Sequence, residues 1–154
     1  MHLAREVMFS AEIKAPLAIL RPSLLYGAND PHNGYGPNRF RRLAAKGEDI
    51  VLFGEGEERR DHVFIDDVAE IAFQVLTRRS HGVLNIATGE VYSFMDLAKK
   101  IIKMKGDKSK IKTTPRSGPM PHNGYRPFDI AACRKAFPEF RYTCIDEGLA
   151  RAHG

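Results

Sequence analysis

The stretch Phe53-Gly54-Glu55-Gly56-Glu57-Glu58-Arg59-Arg60-Asp61-His62-Val63-Phe64-Ile65-Asp66-Asp67-Val68-Ala69 decides the fold. Its start closes the apolar run Ile50-Val51-Leu52-Phe53, which predicts a strand. The glycines and glutamates that follow predict a tight, hairpin-like polar turn from Gly54 to Arg59. Arg60-Asp61 then leads into a second expected strand, His62 to Ile65. Asp66 occupies the expected N-cap of a helix, because Val68, Ile71, Ala72, Val75 and Leu76 follow at i, i+3, i+4, i+7 and i+8.

The same alternation extends in both directions. Upstream, Leu3, Ala4, Val7, Met8 and Ala11 share one helical face, Pro16 forbids further helix, and Leu17 to Leu20 predict a strand buried on both faces. Gly27 to Pro37 is a Gly, Asn, Asp and Pro-rich loop, and a helix is expected from about Asn38 to Ala45. Downstream, Gly82 to Ala87 predicts a strand, and Ser93 caps a helix with Phe94, Leu97, Ala98, Ile101 and Ile102 inside. Ile111 to Thr114 reads as a strand, Thr114 to Tyr125 as a loop, and short helices are expected near 130–136 and 146–153. Strands alternating with helices give an α/β class with a parallel component. The heptapeptide from Pro31 to Pro37 recurs with one change from Pro121 to Pro127. This is either common turn chemistry or a pair of loops lining opposite sides of one pocket.

The chain has 154 residues, 43% hydrophobic and 28% charged, which suits one globular domain. The net charge of +5 fits an anionic ligand and equally a solvated surface. No nucleic-acid motif accompanies it, so nucleic acid is not expected as a partner. Neither a membrane-length apolar run nor a signal peptide is present, so the expected location is the cytoplasm. Cys133 and Cys144 are read as reduced. No histidine or carboxylate spacing predicts a metal site, and no Gly-x-Ser-x-Gly elbow occurs. Gly54-Glu55-Gly56 looks superficially like a dinucleotide fingerprint, but its acids repel pyrophosphate and a strand follows instead of a helix.

Arg60-Asp61 with Ile65-Asp66-Asp67-Val68-Ala69 resembles the Arg-Asp, x-x-Val-x-Asp-Val-Ala signature of the NAD-dependent nucleotide-sugar epimerase/dehydratase family, the extended short-chain dehydrogenases. Arg21-Pro22-Ser23-Leu24-Leu25-Tyr26-Gly27, Gly82 to Gly89 and Arg126-Pro127-Phe128-Asp129 resemble further family segments in the same order. The resemblance implies the C-terminal part of a Rossmann-like doubly wound sheet plus the small substrate-binding subdomain. It implies one truncated domain, with about 1–27 and 60–90 in the sheet portion and about 28–59 and 91–154 in the substrate portion.

By the same resemblance, Arg60 and Arg126 reach the diphosphate of a nucleoside-diphosphate sugar, Asn38 contacts the diphosphate or sugar, and the backbone at Val51 to Phe53 flanks the base. Guanidinium forks suit phosphate oxygens and keep their charge when partly buried. Asp129 orients an arginine or binds ribose, and Pro22 and Ser23 lie near the cofactor. Leu24 stands where the family carries Asn and cannot replace that amide's hydrogen bonds. The competing view of Arg60-Asp61 is a structural ion pair.

The family's glycine-rich turn and Tyr-x-x-x-Lys pair are not found. Tyr26, Tyr35, Tyr92, Tyr125 and Tyr142 are followed four residues on by Asp30, Arg39, Asp96, Asp129 and Asp146. The expectation is therefore a nucleotide-sugar-binding portion with no catalytic residue of its own, NAD or NADP serving the full-length parent and neither bound by this fragment. An exposed sheet edge implies self-association or a partner supplying the missing half. The alternative is a non-catalytic binding or interaction module that keeps the fold.

Overall fold

The computed structural model describes residues 2–12, 16–106 and 108–153. In order, the elements are α1 (His2–Glu12), β1 (Ala18–Pro22), β2 (Leu24–Tyr26), α2 (Pro37–Lys46), β3 (Ile50–Phe53), β4 (Arg59–Phe64) and α3 (Ile65–Thr77). They continue with β5 (Gly82–Ile86), β6 (Val91–Ser93), α4 (Phe94–Lys105), β7 (Ile111–Thr114), a 3-10 turn (Pro121–Gly124), β8 (Tyr125–Arg126), α5 (Ala131–Ala136) and α6 (Ile145–His153). The α/β class with parallel strands is as expected.

Three small sheets carry the architecture. β1 pairs in parallel with β5, β3 in parallel with β7, and β4 is the hub of the third sheet. At its C-terminal end β4 pairs in parallel with β2, and at its N-terminal end it takes β6 antiparallel on one side and β8 parallel on the other. This explains why β4, alone among the strands of the described residues, is buried over five consecutive residues, Arg60 to Phe64. One apolar cluster joins Tyr26, Phe40, Ile50, Leu52, Phe64, Phe94, Leu97, Ile101 and Leu149, and a second gathers Val63, Ile71, Val75, Ile86, Cys133 and Phe137. Val63 and Phe64 thus face opposite clusters, as side chains alternate along a strand.

Several local expectations change. Asp66 is not the N-cap of α3: the helix begins at Ile65, Phe64 takes the cap position without a side-chain bond, and Asp66 and Asp67 lie in the first turn. Two acids there favour the positive end of the helix dipole. Asp66 pairs with Arg151 of α6, and buried Asp67 accepts from Thr143 N (2.9 Å) and Thr143 Oγ1 (2.8 Å). The turn from Gly54 is not a hairpin, since β3 and β4 belong to different sheets. Ser93 does cap α4, in a reciprocal capping box with Asp96. The strands β6 and β8 lie in segments without periodic signal. Both cysteines are free.

β1 keeps its outer edge without a strand among the described residues. α1 is tied to it by Arg21, whose Nε donates to Glu6 Oε1 (3.2 Å), and presents Val7 and Met8 to solvent.

Candidate functional site

The N-terminal half of β4 gathers the charged residues singled out above. Arg60 and Arg126, far apart in sequence, are register partners on β4 and β8, and directly opposite residues of a parallel pair share a face. Arg60 is 6% exposed. It pairs with Glu58 rather than with Asp61, which corrects the ion-pair expectation, and donates to Pro121 O (3.0 Å) and Arg59 O (2.8 Å). Arg126 is exposed, its Nη1 lies 3.3 Å from His122 Nε2, and its guanidinium covers the Phe128 ring at 5.6 Å.

Arg116, which no sequence pattern singled out, completes the group. It donates to Glu58 Oε2 (3.2 Å) and to Phe53 O (3.3 Å) and its Nε lies 3.9 Å from Glu57 Oε1, so buried Glu58 bridges two guanidiniums, and Arg60, Arg116 and Arg126 outnumber the carboxylates of Glu57 and Glu58 by one. The only signal for it was an arginine placed just after the strand Ile111–Thr114 in a Pro/Gly loop. Phe53 is 50% exposed, beside Tyr35 at a centroid distance of 5.0 Å, and its N–H donates to Tyr35 Oη (3.2 Å). An exposed aromatic face next to an arginine group suits a flat base attached to phosphates.

Other nominated residues hold the frame. Asn38 is buried, accepts from Gly27 N (3.1 Å) and donates to Asp30, so both ends of its amide fix the loop before α2. Asp129 accepts from Ala131 N (2.9 Å) at the start of α5 and bonds no arginine among the described residues. Pro22 ends β1, and Ser23 Oγ donates to Asp61 Oδ1 (2.7 Å). Asp61, 1% exposed, also accepts from Thr88 N (3.1 Å), Thr88 Oγ1 (3.1 Å) and Gly89 N (2.7 Å). It joins the C-terminal ends of β1 and β5 to β4.

The two copies of the heptapeptide approach one face of β4: Pro121 bonds Arg60, and Gly36 lies against His62 two residues on. Their backbones differ, since His122 and Asn123 have φ near +50° and their counterparts His32 and Asn33 do not. Only the first copy lines the cavity beside His62.

Burial lowers the His62 pKa from 6.5 to about 4. The unfolded imidazole takes up a proton below about 6.5, whereas the folded one stays neutral down to about 4, so stability is full above 6.5 and falls as pH drops through that window. The loss is on the order of 3 kcal/mol. Denaturant unfolding at about pH 7 and about pH 4.5 should show a smaller decline for His62→Gln than for wild type. Equal declines would contradict a buried neutral histidine.

Of the two Gly-x-Gly turns, Gly54-Glu55-Gly56 carries acids and joins β3 to β4, and Gly34-Tyr35-Gly36 precedes α2 but follows a loop rather than a strand; the hydroxyl of Ser23 is bonded to Asp61. Among the described residues no group of three His, Cys, Asp or Glu could hold a metal ion, and no helix is long and apolar enough to cross a membrane.

The model of the NAD dependent epimerase/dehydratase family matches residues 5–87. A UDP-N-acetyl-alpha-D-glucosaminuronate decarboxylase of Bacillus cytotoxicus is 30% identical over 111 residues, covering 70% of this chain and 34% of that protein. A dTDP-4-dehydro-6-deoxy-D-allose reductase of Streptomyces bikiniensis is 27% identical over 103 residues, covering 63% of this chain and 31% of the reductase. The solved UDP-glucose 4-epimerase of Thermotoga maritima, with UDP-glucose, superposes with a TM-score of 0.82 at 24% identity, over 97% of this chain and 48% of that one. The chain thus spans about a third of the curated relatives' length and about half of that solved chain.

Proposed function

Because the chain belongs to the NAD dependent epimerase/dehydratase family, we propose that it forms the nucleotide-sugar-binding part of such an enzyme and supplies no catalytic acid, base or cofactor cradle of its own. The observation that carries this reading is the arginine group: Arg60 and Arg126 in register on adjacent strands, with Arg116 joined to Arg60 through Glu58. A diphosphate is an acceptor-only dianion, and fixed guanidiniums in a partly buried setting are its natural complement. Exposed Arg126 meets the phosphates directly, Arg60 backs it, and Phe53 with Tyr35 flanks the base. The sugar then extends along β4 toward His62. When bound in the whole enzyme, NAD would supply the hydride chemistry; Pro22 and Ser23 approach it only from one side.

The two arginines separate in their expected behaviour. Arg126→Ala should weaken nucleoside-diphosphate binding by about 1.5 to 3 kcal/mol, on the order of ten- to a hundredfold in Kd, while the melting temperature stays unchanged. Arg60→Ala should lose both affinity and stability, because buried Glu58 then keeps Arg116 alone. Calorimetric titration alongside thermal melts of both variants makes the test. Wild-type affinity in both would remove the arginines from the site.

A further inference from the structure

His62 lies on the same face of β4 as Arg60, two residues along, and is 3% exposed. Its Nδ1 lies 3.1 Å from the carbonyl oxygen of Arg60. A carbonyl only accepts, so Nδ1 carries the proton of the neutral ring, and Nε2 is left with a bare lone pair. No partner among the described residues meets that nitrogen. A buried acceptor without a donor is costly, and one that lines a cavity calls for an occupant.

The surroundings describe that occupant. His62 forms the inner wall of a cavity of about 220 Å³ lined also by Leu24, Leu25, Tyr35, Gly36 and Asn38. The volume exceeds what one water needs. Nε2 sits beneath Gly36, where an added Cβ would lie 4.0 Å from it and 3.6 Å from the Phe94 ring. Gly36 has φ +133, a conformation open to glycine, so residue 36 itself puts no side chain over the nitrogen. Because Nε2 accepts, phosphate and carbonyl oxygens are excluded from it, whereas a hydroxyl is the matching donor. The cavity also opens beside Leu24 and Leu25, whose apolar side chains suit the C–H face of a ring.

We propose that His62 is a specificity-determining residue, accepting a hydrogen bond through Nε2 from a hydroxyl of the sugar portion of the ligand after a small shift of the Gly34–Gly36 segment. The assignment rests on the nucleotide-sugar reading above and names the contact that distinguishes a nucleotide sugar from its bare diphosphate. It is complementary to the arginine group: acceptor-only phosphate goes to the guanidiniums, and donor hydroxyl goes to the imidazole.

The test is titration of the 154-residue chain and of His62→Phe and His62→Gln with UDP, dTDP and GDP, then with the glucose conjugate of whichever binds. His62→Phe should lose on the order of tenfold in affinity for the conjugate and keep its affinity for the diphosphate. His62→Gln, whose amide oxygen accepts, should recover part of the loss. If the conjugate binds wild type no better than the diphosphate, or if His62→Phe leaves the ratio unchanged or weakens both ligands equally, the lone pair holds only water or structure and the proposal falls. If wild type binds neither diphosphate nor conjugate, the nucleotide-sugar reading fails first and takes this contact with it.

Discussion

Asp61→Ala should lower the stability of the chain by about 3 to 5 kcal/mol, on the order of 10 °C in melting temperature for a chain of this size. Among the described residues the carboxylate pairs with no cation and is held by four donors, from Ser23, Thr88 (N and Oγ1) and Gly89. Two of those donors are hydroxyls and can turn elsewhere. The other two are backbone N–H groups of Thr88 and Gly89, fixed where they are, and each left unsatisfied costs about 1 to 3 kcal/mol. Asp61→Asn is not a rescue. Its amide NH2 would face one or the other of those N–H groups, whichever way it flipped, because one meets each carboxylate oxygen. Both variants should therefore melt well below wild type, with Asn the milder. A melting temperature within about 2 °C of wild type for Asp61→Ala would mean that relief from burying a lone charge offsets the lost bonds, and that the strand ends do not depend on this hub.

Gly148→Ala should be the other severe substitution, against the usual trend. Ala in place of Gly within a helix ordinarily stabilises by about 1 kcal/mol. Here a Cβ would overlap Tyr26 Oη and lie 2.8 Å from Cζ and 3.1 Å from Cε2. Tyr26 is 1% exposed and packed against Phe64, so its ring can yield only by giving up that packing. Either α6 moves off β4 or the ring is displaced, and overpacking of this kind costs about 1 to 3 kcal/mol or more. Combining it with Tyr26→Phe removes the overlapping oxygen and should restore part of the stability, a non-additivity that denaturant unfolding of the two single variants and the double would reveal. Simple additivity would mean that α6 does not rest on Tyr26.

Those two positions mark where sequence reading ended. Elements with their own periodicity were legible: α3 from Val68, Ile71 and Val75, and α4 from its Ser93 cap. So were the strands 50–53 and 111–114, though not that they pair with each other. β6 and β8, of three and two residues, exist only because β4 offers them edges, and no local pattern announces such a strand. The start of α3 was misplaced by two positions because Asp66 reads as a cap, whereas Phe64 takes that place and Asp66 makes a tertiary pair with Arg151. Within the site, Arg60 and Arg126 were found from the family signature, and their adjacency came from the β4–β8 register. Arg116, Glu58 and the orphan nitrogen of His62 were not legible, since each owes its role to what other segments place beside it. Asn38 and Asp129, expected beside the ligand, bond the backbone or loop that shapes the site.

The central claim is that this chain by itself presents a diphosphate-binding half-site on β4. Isothermal titration of the purified chain with UDP, GDP and dTDP, with NAD as the control, tests it most directly. At least one nucleoside diphosphate should bind, the heat should be lost with Arg126→Ala, and NAD should give none. Binding of NAD alone, or of no ligand at all, would contradict it.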